Sequence, residues 1–188
     1  IMKSALTTPD PIDLHGVLAE MAEEGLDACV MEASAHAMDM HRPEGICFDG
    51  VAYTNLSQDH LDYFSTMANY AKAKKALFTP HYAKNCAFNA DEETTSFMLE
   101  GIELPYVTYG IRAAIDISAR DIEISESGVS FVMRLSGMPE TPVALHLTGM
   151  LNEYNAMCAA ALCMIIGACM ASIREGLEAV KVVPGRAE

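Results

Sequence analysis

Positive charge is what this chain has least of. Its 188 residues carry 12 Lys and Arg against 26 Asp and Glu, a formal net charge of −14. That balance argues against general binding to nucleic acid or to an anionic membrane surface, both of which call for a basic face. No C-x-x-C pair occurs among the six cysteines, Cys29, Cys47, Cys86, Cys158, Cys163 and Cys169. They lie in apolar runs and read as buried free thiols of a reducing compartment. There is no signal-peptide pattern. The uncharged stretch from Ala156 to Ala171 has 16 residues, short of the roughly 20 that a bilayer span needs. A buried helix is expected there, no membrane insertion, and a cytoplasmic protein. A G-x-x-x-x-G-K-[ST] phosphate loop is also absent.

What is present is a globular composition, 51% hydrophobic and 20% charged, enough for one domain or a large part of one. Pro11, preceded by Asp10 and followed by Asp13, opens a helix whose Leu14, Val17, Leu18, Met21 and Ala22 recur at helical spacing and which closes at Gly25. Asp27–Met31 reads as a buried strand, Phe48–Thr54 as a second and Cys86–Phe88 as a third. Met67–Phe78 reads as a helix stopped by Pro80, and Asp91–Leu99 as another. The alternation implies βαβ units and a mostly parallel sheet flanked by helices. From Ala114 the pattern changes. Ala114–Ser125, Val129–Leu135 and Val143–Leu147 alternate with period two around S-E-S-G and G-M-P-E-T-P turns, the mark of a small antiparallel β insert. Helices over Leu151 to about Met170 and Ser172–Val180 follow. The fold class expected is α/β. An α/β nucleotide site would need the missing loop upstream, so the chain is expected to be a fragment, cut at both ends.

Two clusters of acids and imidazoles each follow an apolar, strand-like run: Glu32, Ser34, His36, His41 and Arg42, then Asn55, Asp59, His60 and Asp62. Strand carboxyl ends are where open α/β sheets bind ligands. Glu32 with His60 gives one carboxylate and one imidazole, too sparse for structural zinc but suited to Mg²⁺ or Mn²⁺ bound to phosphate. A solvated charge and a capping histidine are the alternatives. His36 and His41 are expected to be structural. Arg42 can grip a carboxylate or phosphate in a bidentate way, or form a surface ion pair. Lys72, Lys74 and Lys75 read as a solvated helix face; Lys72 and Lys75 share that face while Lys74 points elsewhere, which leaves one of the three open to a separate job. Thr7 and Thr8 are either anion-binding hydroxyls or an ordinary turn. Asn152 and Asn155 either cap a helix or read a base edge.

The order T-T-P-D, M-E-A-S-A-H-A-M-D-M-H-R, F-D-G-V-A-Y-T-N-L-S-Q-D-H-L-D-Y-F, M-A-N-Y-A-K-A-K-K-A-L-F, F-N-A-D-E, L-T-G-M-L-N-E-Y-N-A and V-P-G-R-A-E resembles the central domain of the Mur ligases over essentially the whole chain. Within the family it is most similar to the UDP-N-acetylmuramoyl-tripeptide synthetases, which add the third residue of the peptidoglycan stem peptide. The resemblance implies a P-loop NTPase-like central, ATP-binding domain over residues 1–188, with its first strand and P-loop missing. The N-terminal UDP-binding and C-terminal amino-acid-binding domains are absent from it, so this piece alone is expected to be inactive. It implies ATP and Mg²⁺ as cofactors, a bacterial cytoplasmic monomer, and UDP-MurNAc-L-Ala-D-Glu with a diamino acid (meso-diaminopimelate or L-Lys) as partners, joined through an acyl phosphate. Carried onto this sequence, Glu32 and His60 would bind Mg²⁺, and Lys74 would be carbamylated and help hold a second Mg²⁺. Thr7, Thr8, Ser34 and Arg42 would contact the UDP-muramoyl-peptide, Asn152 and Asn155 would lie near the adenine, and Arg186 near the ATP phosphates. Ala35 stands where the family usually has serine, Met40 where it commonly has glutamine and Gln58 where arginine is usual. The first two departures favour the alternative of a non-catalytic nucleotide-sugar-binding relative; another Mur ligase or a folylpolyglutamate-synthetase-like ligase is the further alternative.

Overall fold

The computed structural model describes residues 6–112, 116–147 and 151–183. The chain divides into two compact units, Ile1–Cys47 with Ser57–Tyr82, and Phe48–Leu56 with Ala83–Glu188.

The first unit is helical: α1 (Pro11–Glu23), α2 (Ala35–Asp39), α3 (Leu61–Phe64) and α4 (Met67–Lys75). α1 starts at Pro11, whose missing N–H costs nothing at a helix start. It closes where the pattern predicts, with Gly25 and Leu26 N–H groups bonded back to Ala22 and Met21 carbonyls. Ser34 caps α2 by accepting the Ala37 N–H, and Thr66 caps α4 by accepting the Asn69 N–H. α4 ends at Lys75, short of the expected Phe78, ahead of Pro80.

The expected strand over Asp27–Met31 is not formed, and Val30 is 90% exposed. A strand exists only with a ladder partner, and among the described residues no strand pairing includes this segment. Just beyond the segment, two backbone groups instead meet one hydroxyl. Thr8 Oγ1 donates to the Glu32 carbonyl (2.8 Å) and accepts the Ser34 N–H (3.1 Å). Cys29, in the same segment, is exposed, as are Cys47 and Cys169. Burial of thiols therefore holds for Cys86 and Cys158 and fails for those three.

The second unit is a mixed six-stranded sheet in sequence order: β1 (Val51–Tyr53), β2 (Cys86–Asn89), β3 (Tyr106–Gly110), β4 (Ile117–Ser125), β5 (Gly128–Leu135) and β6 (Thr141–Leu145). β1 to β4 pair in parallel, and β4–β5–β6 form the antiparallel meander that the alternation predicts. β2 is buried at every position, as a central parallel strand should be. The β4–β5 turn needs glycine at 128: its φ is +144°, and a Cβ there would lie 1.9 Å from the Leu145 carbonyl oxygen. α5 (Thr95–Leu99) is shorter than expected because Asp91 turns back, its N–H on Asn89 Oδ1. α6 (Asn152–Ile165) packs Ala156, Met157, Ala160 and Ala161 into the core cluster with Ile117, Phe131, Met133 and Leu135. α7 (Met170–Ala179) adds Ile173 to the same cluster and offers Glu178, whose Oε1 accepts the Ala144 N–H of edge strand β6. Among the described residues no helix is long and apolar enough to cross a membrane.

Candidate functional site

In the first unit the short apolar and polar motifs fold back so that one aromatic ring, Tyr70 on α4, becomes the common neighbour of His60 and Lys74. Tyr70 is buried and stacks on Phe64 of α3 with ring centroids 5.2 Å apart and 19° between planes. The His60 ring stands edge-on to it at 5.8 Å and 90°. Lys74 Nζ lies 5.3 Å from the centre of the same ring, a distance at which an ammonium is attracted to a π face. The Tyr70 hydroxyl is held protonated to higher pH than usual, first by burial and then by the negative charges of Asp59 and Glu32. His60 and Lys74 therefore meet at one ring, whose hydroxyl also feels the charges of Asp59 and Glu32.

His60 is positioned by its backbone. It precedes α3 with φ 54°, a left-handed conformation uncommon outside glycine. Its N–H bonds to Asp59 Oδ1 at 2.7 Å, and its ring Nε2 lies 3.6 Å from Asp59 Oδ2. The His36 ring lies 4.7 Å from that of His60 and 4.4 Å from that of Tyr63. His41 is 76% exposed, 4.0 Å from Glu44.

The residues predicted to grip the peptide substrate are tied together. Thr8 is fully buried under its bonds to Glu32 and Ser34, and Arg42 Nη1 donates to the Thr8 carbonyl at 2.9 Å. Arg42 Nε lies 3.2 Å from Asp10 Oδ1 without hydrogen-bond alignment, and Nη2 reaches Met40 Sδ at 3.3 Å. Met40 thus receives an arginine N–H at its sulfur. Ala35 is buried in α2. Ser34 spends its hydroxyl on the helix cap, and Thr7 is exposed. Lys74 faces Tyr70, while Lys72 lines a separate open groove of about 520 Å³ with Asp39, Tyr63 and Asn69. None of Glu32, His60, Lys74, Thr8 and Arg42 lines that groove.

In the second unit Asn152 is half-buried and Asn155 exposed, both in the first turn of α6. Arg186 lies outside the described residues. Sequence reasoning gives Tyr70 no role. Its signal is the Y-x-x-x-K spacing, which puts tyrosine and Lys74 one turn apart on α4.

Among the described residues no three or more His, Cys, Asp or Glu side chains are grouped to hold a metal ion. A closed zinc-type cage would need such a group. Mg²⁺ does not, since it keeps several waters and takes one or two carboxylates plus phosphate oxygens. The exposed Glu32 carboxylate and the partly exposed His60 imidazole are donors of that open kind. Lys74 as an ammonium has no lone pair to give a metal; only an added carboxylate on Nζ would make it a ligand.

Comparisons with known proteins agree on one relationship. The family model described as the Mur ligase middle domain matches residues 1–163. A UDP-N-acetylmuramoyl-L-alanyl-D-glutamate--2,6-diaminopimelate ligase of Bacillus licheniformis is 35% identical over 192 residues, covering 97% of this chain and 38% of that protein. The protein of the same name from Caldanaerobacter subterraneus subsp. tengcongensis is 36% identical over 188 residues, 100% of this chain and 38% of its own length. A solved structure of a ligase with that name superposes with TM-score 0.86 at 26% identity, over 94% of this chain and 37% of its own. A MurF ligase from Thermotoga maritima in complex with ADP shares the fold, with TM-score 0.58 at 18% identity over 73% of this chain and 32% of its own. The chain spans about 38% of the length of the curated relatives it matches.

Proposed function

The chain belongs to the Mur ligase family, as its middle domain, and from that premise we propose that it is the central, ATP-binding part of a longer ligase that joins diaminopimelate to UDP-MurNAc-L-Ala-D-Glu in peptidoglycan synthesis. The diamino acid is taken from the names of the curated relatives. In this reading the UDP-binding and amino-acid-binding domains are contributed by other segments, and the enzyme works in the cytoplasm, where its nucleotide substrates are made.

The observation that carries the reading is the meeting of His60 and Lys74 at the Tyr70 ring, whose hydroxyl also feels the charge of Glu32. ATP would phosphorylate the substrate's D-Glu side-chain carboxylate, and the diamino acid's amine would displace phosphate from the acyl phosphate. Such chemistry needs positioning and charge neutralisation more than covalent help from the protein. Mg²⁺, when bound, would neutralise charge on the transferring phosphate. Glu32 and His60 would hold it, and a carbamate on Lys74 would add an anionic oxygen beside them. Asp59 would keep His60 in place through its bond to the His60 N–H. Arg42, anchored on Thr8, would present the remaining charge of its guanidinium to the muramoyl-peptide, with Thr7 and Ser34 nearby in the chain. Asn152 and Asn155 would face the adenine, and Arg186 the ATP phosphates.

The test is ADP release by the full-length gene product. The expected outcome is release that depends on both UDP-MurNAc-L-Ala-D-Glu and diaminopimelate. No release with either diaminopimelate or lysine would overturn the ligase reading.

A further inference from the structure

A cluster at the carboxyl edge of the parallel strands in the second unit is not used by the reading above. Asp91 follows β2, Arg112 follows β3 and Tyr154 stands in the first turn of α6. The Asp91 carboxylate accepts the backbone N–H groups of Ile111 (2.6 Å) and Arg112 (3.1 Å) and the Tyr154 hydroxyl (3.0 Å). Only glycine at 110 permits this approach, since a Cβ there would sit 2.8 Å from Asp91 Oδ2. One carboxylate thus ties together the ends of β2 and β3 and the start of α6.

That arrangement leaves a cation available. Asp91 is satisfied by main-chain and hydroxyl donors. Among the described residues Arg42, Arg120 and Arg174 each have a carboxylate oxygen within 4.0 Å, whereas Arg112 and Arg134 do not, and of these two Arg112 is the one at the carboxyl end of a parallel strand. Arg112 is exposed, and its guanidinium lies against the Tyr154 hydroxyl, which together with Asp91 favours its charged form. Tyr154 so brings the guanidinium to the helix turn that also carries Asn152 and Asn155. A planar, weakly hydrated guanidinium stacks well on an aromatic face, and the carboxyl ends of parallel strands are where ligands of such sheets lie.

We propose that Arg112 is a further nucleotide-binding residue, stacking on the base received by the first turn of α6, with Tyr154 and Asp91 as its positioning residues. The proposal rests on the reading of that turn as the adenine site. It explains why Asp91 is saturated by neutral donors: a direct Arg112–Asp91 pair would pull the guanidinium away from the ligand.

Calorimetric binding of adenosine, ADP and inorganic tripolyphosphate to the full-length gene product tests it. Arg112→Ala is expected to weaken adenosine and ADP by the same factor, roughly 3- to 30-fold, and to leave tripolyphosphate unchanged. Arg112→Lys, which keeps charge but not the plane, should recover only part of the loss. Tyr154→Phe should weaken adenosine in the native background and add nothing in the Arg112→Ala background, which a merely structural effect would not do. Adenosine and ADP binding unchanged by Arg112→Ala would overturn the proposal alone, as would a loss confined to ADP and tripolyphosphate. Failure of the unsubstituted protein to bind any nucleotide would overturn the adenine reading together with it.

Discussion

The two units hold their polar groups in opposite ways. The sheet unit is organised by area: Phe88, Met133 and Met157 are fully buried in it, and its polar side chains Asn89, Asp91 and Thr95 are tied to backbone at strand ends. Among its described residues the helical unit has no sheet, and the segment that carries Glu32 is held by single atoms. Thr8 Oγ1 secures the Glu32 carbonyl and the Ser34 N–H, and Arg42 secures Thr8. A site on a ladder-free segment can present an exposed carboxylate, but it depends on each peg.

Three substitutions probe that contrast, from the largest effect to the smallest. Phe88→Ala empties the middle of the sheet unit, where burial is complete, and should cost about 3–5 kcal/mol in urea unfolding. A loss near that of a surface substitution would mean that the sheet is not held by area. Thr8→Val keeps the shape but takes the partner from a part-buried carbonyl and N–H, at a cost of about 1 kcal/mol. Hydrogen exchange should find the Ser34 amide the most accelerated, and an unaltered rate there would remove the peg. The smallest effect concerns Glu44. Its carboxyl is held below the usual 4.5, first by the Tyr82 hydroxyl and then by His81. A depressed carboxylate stabilises the fold above its unfolded value and loses that contribution as pH falls through its folded value. Glu44→Gln should therefore flatten the fall of Tm below about pH 4.5. An acid limb identical to that of the unsubstituted protein would show that Glu44 gives nothing.

The sheet's outline was legible because period-two alternation and glycine-containing turns are local signals, and β4, β5 and β6 follow from them with small shifts of boundary. β3 had a signal too, the β-branched and aromatic run Tyr106-Val107-Thr108-Tyr109, which lies outside the alternating segments. Asp27–Met31 misleads for a physical reason. An apolar run reports a preference for burial, while a strand also needs a partner backbone, which no local pattern encodes. The candidate site follows the same division. Glu32, His60 and Lys74 are legible as residue types in motifs. Tyr70, at whose ring His60 and Lys74 meet, is a matter of tertiary packing. Asp91 and Gly110 likewise gain meaning only once β2 and β3 lie side by side.

The central claim is that Lys74 serves the site as a carbamate beside Glu32 and His60. Carbon-13 NMR of the full-length gene product equilibrated with ¹³C-bicarbonate tests it most directly. The account predicts a carbamate resonance that vanishes in Lys74→Ala and is broadened by Mn²⁺ in the native protein but much less in Glu32→Gln. Lys74→Ala should also lose ligase activity and recover part of it with short carboxylic acids. No carbamate resonance in the native protein, together with full activity in Lys74→Ala, would contradict the account.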